Sequence, residues 1–407
     1  MILCRLCDAP LQTTFLDLGT SPPCESYLAS SQLDDPELQY PLHVRVCDSC
    51  LLVQLPECLH AEDIFSDYAY FSSYSDSWVA HAGRFVNSAI EALQLTSQSL
   101  VVEVASNDGY LLQHLVARGI PVLGIEPAEN IAEVARAKGV PTRAAFLSTA
   151  MGEDVAARHG KADLVVANNV LAHVPDLRDF VGGLRALVSD SGIVALEFPH
   201  LQELISGRQY DTIYHEHFSY FTLLTAARAL ETGGLQVTAV ERLLTHGGSL
   251  RVWARPMEGD PAISPNVQQV LAEEEALGLH TVVGHSGFAA AVFGVKRDLV
   301  EFLFRARSEG RRVGGYGAPG KGNTLLNHCG IRRDLLPYTV DRNSYKQGRY
   351  LPGTHIPIYS PEYLAQDQPD YVLILPWNLR DELTQQLSYV REWNGSLVFP
   401  IPELEIV

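Results

Sequence analysis

The sequence predicts an α/β protein in which a small cysteine-bearing domain precedes two parallel-sheet units. Three observations predict it. Four of the seven cysteines fall in two Cys-x-x-Cys pairs close to the start of the chain. A central stretch alternates short apolar strands with helical segments, the pattern of a parallel sheet wound on both faces. A third stretch repeats that alternation around a glycine-rich turn.

Residues 1–75 make up the first domain. Pro22, Pro23, Pro36 and Pro41 exclude a long helix, and residues 43–46 read as a short strand. The domain ends in an aromatic run containing Tyr68, Tyr70, Phe71 and Tyr74. Cys4, Cys7, Cys47 and Cys50 can supply four thiolates in a tetrahedral array, with 39 residues between the two pairs. Such a closed site suits a structural Zn2+ and leaves no position for a substrate. The alternative is four unrelated buried cysteines. Paired Cys-x-x-Cys in a cytosolic chain indicates metal more often than disulfide, and the first residues lack a signal-peptide layout, so the expected setting is cytoplasmic.

The formal net charge is −18. No basic face is visible, which argues against a nucleic-acid partner, because phosphate neutralisation supplies most of such affinity. The acidity reads as solubility. No apolar run approaches the roughly 18 residues of a membrane span, so no membrane partner is expected. A small-molecule substrate remains.

The central domain covers residues 76–258. Strands are predicted at 100–104, 122–126, 163–167 and 193–197, with helices at 110–118, 130–138 and 177–188. Residues 235–240 and 249–254 flank Gly247-Gly248 and predict a closing hairpin. A parallel sheet ending in an antiparallel hairpin suits a Rossmann-like class I methyltransferase domain better than a dinucleotide dehydrogenase. The turn Glu103-Val104-Ala105-Ser106-Asn107-Asp108-Gly109 follows a strand and opens a helix, where free N–H groups meet a ligand. Its single glycine departs from the G-x-G-x-x-G pattern, and it is acidic. S-Adenosylmethionine carries an ammonium and a sulfonium but no pyrophosphate, so Glu103, Ser106, Asn107, Asp108 and Gly109 are expected to bind it. Glu126 ends the next strand and is expected to hold the ribose hydroxyls. The competing reading makes Glu103 and Glu126 ordinary strand-end residues. Asn169, at the end of a later strand, joins the cofactor set. His173 either faces the reaction centre or is a packed side chain.

Tyr214-His215-Glu216-His217-Phe218 places a phenol, a carboxylate and two imidazoles together. A histidine beside a carboxylate is a good general base near neutral pH. The spacing lacks the H-E-x-x-H form of a helical metal site. The alternative is a surface loop, although the aromatic flanks indicate burial.

Residues 259–407 form a second α/β (Rossmann-like) domain, with helices at 264–279 and 288–308 and strands at 312–316, 338–341 and 371–375. Its loop Gly314-Gly315-Tyr316-Gly317-Ala318-Pro319-Gly320-Lys321-Gly322-Asn323 offers backbone amides, a helix N-terminus and Lys321 for an anion such as phosphate, the alternative being a structural glycine turn. Gly322 after Lys321 excludes a Walker A loop.

In this order the motifs resemble the sugar C-methyltransferases of deoxysugar biosynthesis, which act on nucleotide-linked 4-keto sugars. The resemblance runs along the chain through the four cysteines, the 103–109 turn, Asn169 to His173, Glu216-His217 and Gly315-Tyr316-Gly317-Ala318. It implies a zinc-binding domain, a methyl-donor domain and a C-terminal domain that helps hold the nucleotide sugar. It also implies His217 as base, with Tyr214, Asn169 and His173 around the sugar and Tyr74, Tyr316 and Lys321 contacting substrate. His215, in place of an expected Asp, and Pro319-Gly320 depart from the family pattern. The expected reaction is enolate formation by His217, oriented by Glu216, with Tyr214 or His173 as donor to the enolate oxygen. The expected acceptor is a dTDP-linked sugar methylated at C-3, as in antibiotic biosynthesis. A monomer or weak homodimer is expected. Competing readings are an O- or N-methyltransferase, an NAD-dependent sugar oxidoreductase and a non-catalytic binding protein.

Overall fold

The computed structural model describes residues 2–60 and 71–407. Tyr68, Ala69 and Tyr70 of the aromatic run lie outside the described residues. The chain divides into two compact units. One comprises Met1–Leu11, Cys47–His200 and Phe218–Val282, the other Gln12–Val46, Leu201–His217 and Val283–Val407. Among the described residues, no helix is long and apolar enough to cross a membrane.

The first unit holds a seven-stranded sheet. Its spatial order is Thr142–Ala144, Val122–Glu126, Val101–Val104, Ala162–Asn168, Val188–Pro199, Ser249–Pro256 and Leu235–Leu243. The first five strands are parallel, and the last two form an antiparallel hairpin. Val101, Val102, Val165 and Val166 are wholly buried, as β-branched residues are in a sheet covered on both faces. From Val101–Val104 the chain winds outward to Thr142–Ala144, then reverses to Ala162–Asn168. That reversal opens a crevice beyond the carboxyl ends of the two central strands, where ligands of such sheets bind. It brings together the loops that follow Val104 and Asn168.

The helix expected at 110–118 is shorter, covering Gln113–Val116. Tyr110, Leu111 and Leu112 are buried, and the segment tightens through bonds such as Leu115 N–H to Leu112 O at 3.0 Å. Burial of three consecutive large side chains overrides the single-face pattern of a regular helix. Helix Asp76–Leu93 is capped by the Ser75 hydroxyl, which accepts from Trp78 N–H at 3.3 Å.

The second unit holds a six-stranded sheet in the order Ile358–Tyr359, Thr339–Val340, Val313–Tyr316, Tyr371–Ile374, Ser396–Phe399 and Glu405–Ile406. All but the last strand are parallel. An antiparallel pair, Thr13–Ser21 with Tyr40–Val46, belongs to the same unit. Phe15 from that pair stacks on Phe288, at the start of helix Phe288–Ser308, with centroids 5.0 Å apart.

Candidate active site

The four paired cysteines converge in the first unit. Their sulfurs lie within 4.8 Å of one another, and Cys4–Cys50 and Cys7–Cys47 are each 3.5 Å apart. A tetrahedron with Zn–S bonds of about 2.3 Å has edges of about 3.8 Å, so the cluster fits one zinc ion. A disulfide, with S–S of about 2.05 Å, is excluded. Gln54 Nε2 donates to Cys4 Sγ at 3.1 Å, a bond that would offset thiolate charge. The knuckles are gripped from the sheet's helices, by Arg178 on the Leu6 carbonyl at 2.7 Å and Arg228 on the Cys50 carbonyl at 2.9 Å.

The turn after Val104 is held in an uncommon backbone shape. Ala105 has φ 53°, Asn107 φ 48° and Gly109 φ 79°. Two of these three left-handed residues carry side chains, a strained arrangement that concentrates at functional sites. Both Glu126 oxygens hold backbone, accepting from Asn107 N–H at 2.9 Å and Ala128 N–H at 3.0 Å. Asp108 pairs with Lys138 at 2.8 Å and with the Ser73 hydroxyl. Burial raises the Glu103 carboxyl well above its usual range, and the nearby Glu126 and Asp108 add to the shift.

The turn and the end of strand Ala162–Asn168 carry unused polar atoms. Glu103 Oε2, Ser106 Oγ, Asp108 Oδ1, Asn168 Oδ1 and both polar atoms of the Asn169 amide are buried without a hydrogen-bond partner among the described residues. Each such group costs about 1–3 kcal/mol unless a ligand or water meets it. A cationic ligand with hydroxyls answers this set, which is the chemistry of S-adenosylmethionine. Asn169 is itself left-handed, φ 55°, with its N–H on the Glu197 carbonyl at 2.6 Å. His173 ends the one-turn helix Leu171–His173 that follows.

Tyr74 lies close in sequence to the cofactor turn's tethers. Its ring stacks on Phe71 at 5.2 Å and is exposed. Ser72 N–H donates to Asn107 Oδ1 at 2.8 Å.

In the second unit, residues 210–217 are fixed from several sides. Asp211 is buried and accepts from Trp377 Nε1 at 2.6 Å, and burial pushes its carboxyl up to about 6 against the pull of Lys321. Thr324 Oγ1 donates to the Ile213 carbonyl at 3.0 Å. His217 Nδ1 lies 2.7 Å from the Thr212 carbonyl. A carbonyl only accepts, so Nδ1 carries the proton and Nε2 the basic lone pair. The Tyr214 ring sits against the imidazole, with centroids 4.0 Å apart.

The other two members of the motif turn elsewhere. His215 is buried, with Nε2 3.2 Å from the Tyr40 carbonyl. Glu216 receives the Cys24 thiol at 3.9 Å. Burial pushes the Glu216 carboxyl up to about 8, and Glu25 adds to the shift. The sequence expects Glu216 to orient His217, and at Nδ1 the partner found is the Thr212 carbonyl. The Thr212 carbonyl holds Nδ1, because successive side chains on this turn project in different directions.

Residues 4–65 match a family described as "Putative zinc binding domain", residues 79–240 a "Methyltransferase domain" and residues 244–402 a "C-methyltransferase C-terminal domain". C-methyltransferase NovU of Streptomyces niveus is 36% identical over 99% of this chain and 96% of its own length. The chain belongs to the C-methyltransferase family. The Ubiquinone biosynthesis O-methyltransferase of Methylobacterium sp. (strain 4-46) is 29% identical over 36% of this chain and 63% of that protein. A solved structure, magnesium protoporphyrin IX methyltransferase from Synechocystis PCC 6803 with bound SAM, covers 44% of this chain and 81% of its own at 18% identity and a TM-score of 0.31.

This C-methyltransferase therefore uses S-adenosylmethionine and carries a zinc-binding cysteine cluster. Two glycines of its C-terminal loop pack closely against neighbouring residues. A Cβ on Gly317, φ 86°, would meet Pro376 at 2.5 Å, and one on Gly320 would meet Cys24 Sγ at 2.8 Å. Close packing is thus a sufficient reason for these two glycines. Lys321 donates to Asn378 at 2.8 Å and lies over the Trp377 ring. Tyr316 is buried and its hydroxyl accepts from Gln386 at 2.6 Å. Sequence reasoning missed Thr212, Cys24 and Glu25. Cys24 and Glu216 are 192 positions apart, and no motif links them.

Proposed function

We propose that this C-methyltransferase methylates carbon in a nucleotide-linked 4-keto-deoxysugar, dTDP-linked and at C-3, by way of an enolate. The observation that carries the reading is His217, whose Nδ1 is fixed on the Thr212 carbonyl at 2.7 Å so that Nε2 is the proton acceptor. A C–H is acidic enough for an imidazole only beside a carbonyl, which selects a keto substrate. When bound, S-adenosylmethionine supplies an electrophilic methyl on sulfur. Glu103, Ser106, Asn107, Asp108, Glu126 and Asn169 bind that donor, and Gly109 lets the turn close around it.

In this reading His217 removes the proton next to the ketone, and Tyr214 or His173 donates a hydrogen bond to the enolate oxygen. Glu216, next to His217 on this turn and held by the Cys24 thiol, helps to position the base. Tyr74, Tyr316 and Lys321 belong to substrate binding. The functional division at 1–75, 76–258 and 259–407, a cytoplasmic setting, and a monomer or weak homodimer are part of the same proposal.

The test is incubation with S-adenosylmethionine and a panel of dTDP-linked 4-keto sugars. The expected product carries one new carbon-bound methyl by mass spectrometry and NMR. The expected companion result is solvent exchange of the adjacent C–H without donor, lost in His217→Ala. A methyl on oxygen or nitrogen would overturn the reading.

A further inference from the structure

Arg5 stands between Cys4 and Cys7, inside the first zinc knuckle, and its side chain leaves the knuckle. Its NH2 donates to the Leu55 carbonyl at 2.5 Å, and its NH1 lies 3.2 Å from the Pro175 carbonyl and 3.5 Å from that of Val174. The guanidinium also lies over the Phe218 ring at 5.3 Å.

We propose that Arg5 is a positioning residue through which the zinc knuckle sets the shape of the loop at 169–175. The knuckle fixes where the side chain starts. Cys4 N–H bonds the Ala9 carbonyl at 2.8 Å and Asp8 N–H bonds the Cys4 carbonyl at 2.9 Å. Gln54 joins the two functions, because its Oε1 accepts Arg5 N–H at 3.0 Å while its Nε2 holds Cys4 Sγ. Metal binding that orders Cys4 therefore orders the Arg5 backbone as well.

The loop is pinned at three places. Asn169 N–H sits on the Glu197 carbonyl at its start, and the Ala172 carbonyl accepts from Phe218 N–H at 2.8 Å in its middle. Arg5 closes its end. Asn169 holds a left-handed backbone, a conformation that persists only where the surroundings enforce it. Arg178 and Arg228 donate to carbonyls of the knuckles from helices outside them. Arg5 instead runs from the knuckle outward to the loop, so its loss should disturb the loop more than the metal.

The proposal rests on the reading of Asn169 and His173 as site residues. Its test uses the full zinc-loaded chain as wild type, Arg5→Ala, Arg5→Lys and His173→Ala. Metal content, hydrogen exchange of the peptide spanning the loop, and turnover are measured on each. Arg5→Ala is expected to keep its zinc, exchange its loop amides about tenfold faster and lose about 10- to 100-fold in kcat, the scale of a small misplacement of reacting groups. Arg5→Lys, able to reach one carbonyl, should recover part of both. Wild-type exchange and kcat in Arg5→Ala would overturn the proposal. If that variant loses zinc or fails to fold, Arg5→Lys decides: faster loop exchange with zinc retained supports the proposal, and wild-type exchange overturns it. Full turnover in His173→Ala with faster loop exchange in Arg5→Ala would remove His173 from the site while leaving the link from knuckle to loop intact.

Discussion

Asn107 donates its backbone N–H to the Glu126 carboxylate across 2.9 Å, which ties the cofactor turn to the end of the neighbouring strand. Ala128 holds the other oxygen at 3.0 Å. Glu126 thus shapes the turn as well as offering oxygens to a ribose. Glu126→Ala is expected to weaken S-adenosylmethionine binding by about 10- to 100-fold, the loss of one or two hydrogen bonds to a charged group. Isothermal titration calorimetry measures it, and unchanged affinity would remove Glu126 from the site.

Glu103, Asp108 and Glu126 bring three acidic groups together, and burial raises Glu103 well above its usual range. A cationic ligand favours the charged carboxylate. Donor binding should therefore release a proton, and affinity should rise as pH rises through the range where ligand-free Glu103 titrates. Titrations in buffers of different ionisation enthalpy read the proton count. Glu103→Gln should abolish that release, and proton uptake by the wild type would contradict the assignment.

His217→Ala should bind the donor within about twofold of wild type and lose at least about 100-fold in turnover, the usual worth of a general base. Calorimetry and a methyl-transfer assay on one preparation separate the two effects. Wild-type turnover would dismiss His217 as the base.

Glu216 has a folded-state value of about 8 against a usual 4.5. A raised value means the native state prefers the protonated form. Its contribution to stability is complete below about 4.5 and is lost as pH rises to about 8. Thermal melts across that window should show a decline that Glu216→Gln makes shallower. An identical slope in both proteins would show that Glu216 is not shielded from water.

The four-thiolate cluster is closed, so its metal has no position for substrate. Cobalt-loaded protein should show tetrahedral absorption bands that substrate and donor leave unchanged, with kcat within about twofold of the zinc form. Bands that shift on substrate binding would reveal an open position.

Much of this protein is local and therefore readable in its sequence. The paired cysteines announce a metal because a knuckle needs only a few residues. Strands such as Val101–Val104 and Ala162–Asn168 announce themselves as apolar runs, since both faces of a parallel sheet are buried. The acidic, glycine-poor turn at 103–109 excludes a pyrophosphate fingerprint by composition alone.

Tertiary structure decided the partners. The sequence places Glu216 beside His217, yet the fold gives Nδ1 of His217 to the Thr212 carbonyl and Glu216 to Cys24. It also carries Arg5 from a zinc knuckle to the carbonyls of Val174 and Pro175, about 170 positions along the chain. Backbone carbonyls accept hydrogen bonds whatever side chain they bear, so sequence motifs leave no mark of such contacts. Local chemistry therefore determined the cofactor class and the metal, while chain reversal and burial decided which groups meet and what charge they hold.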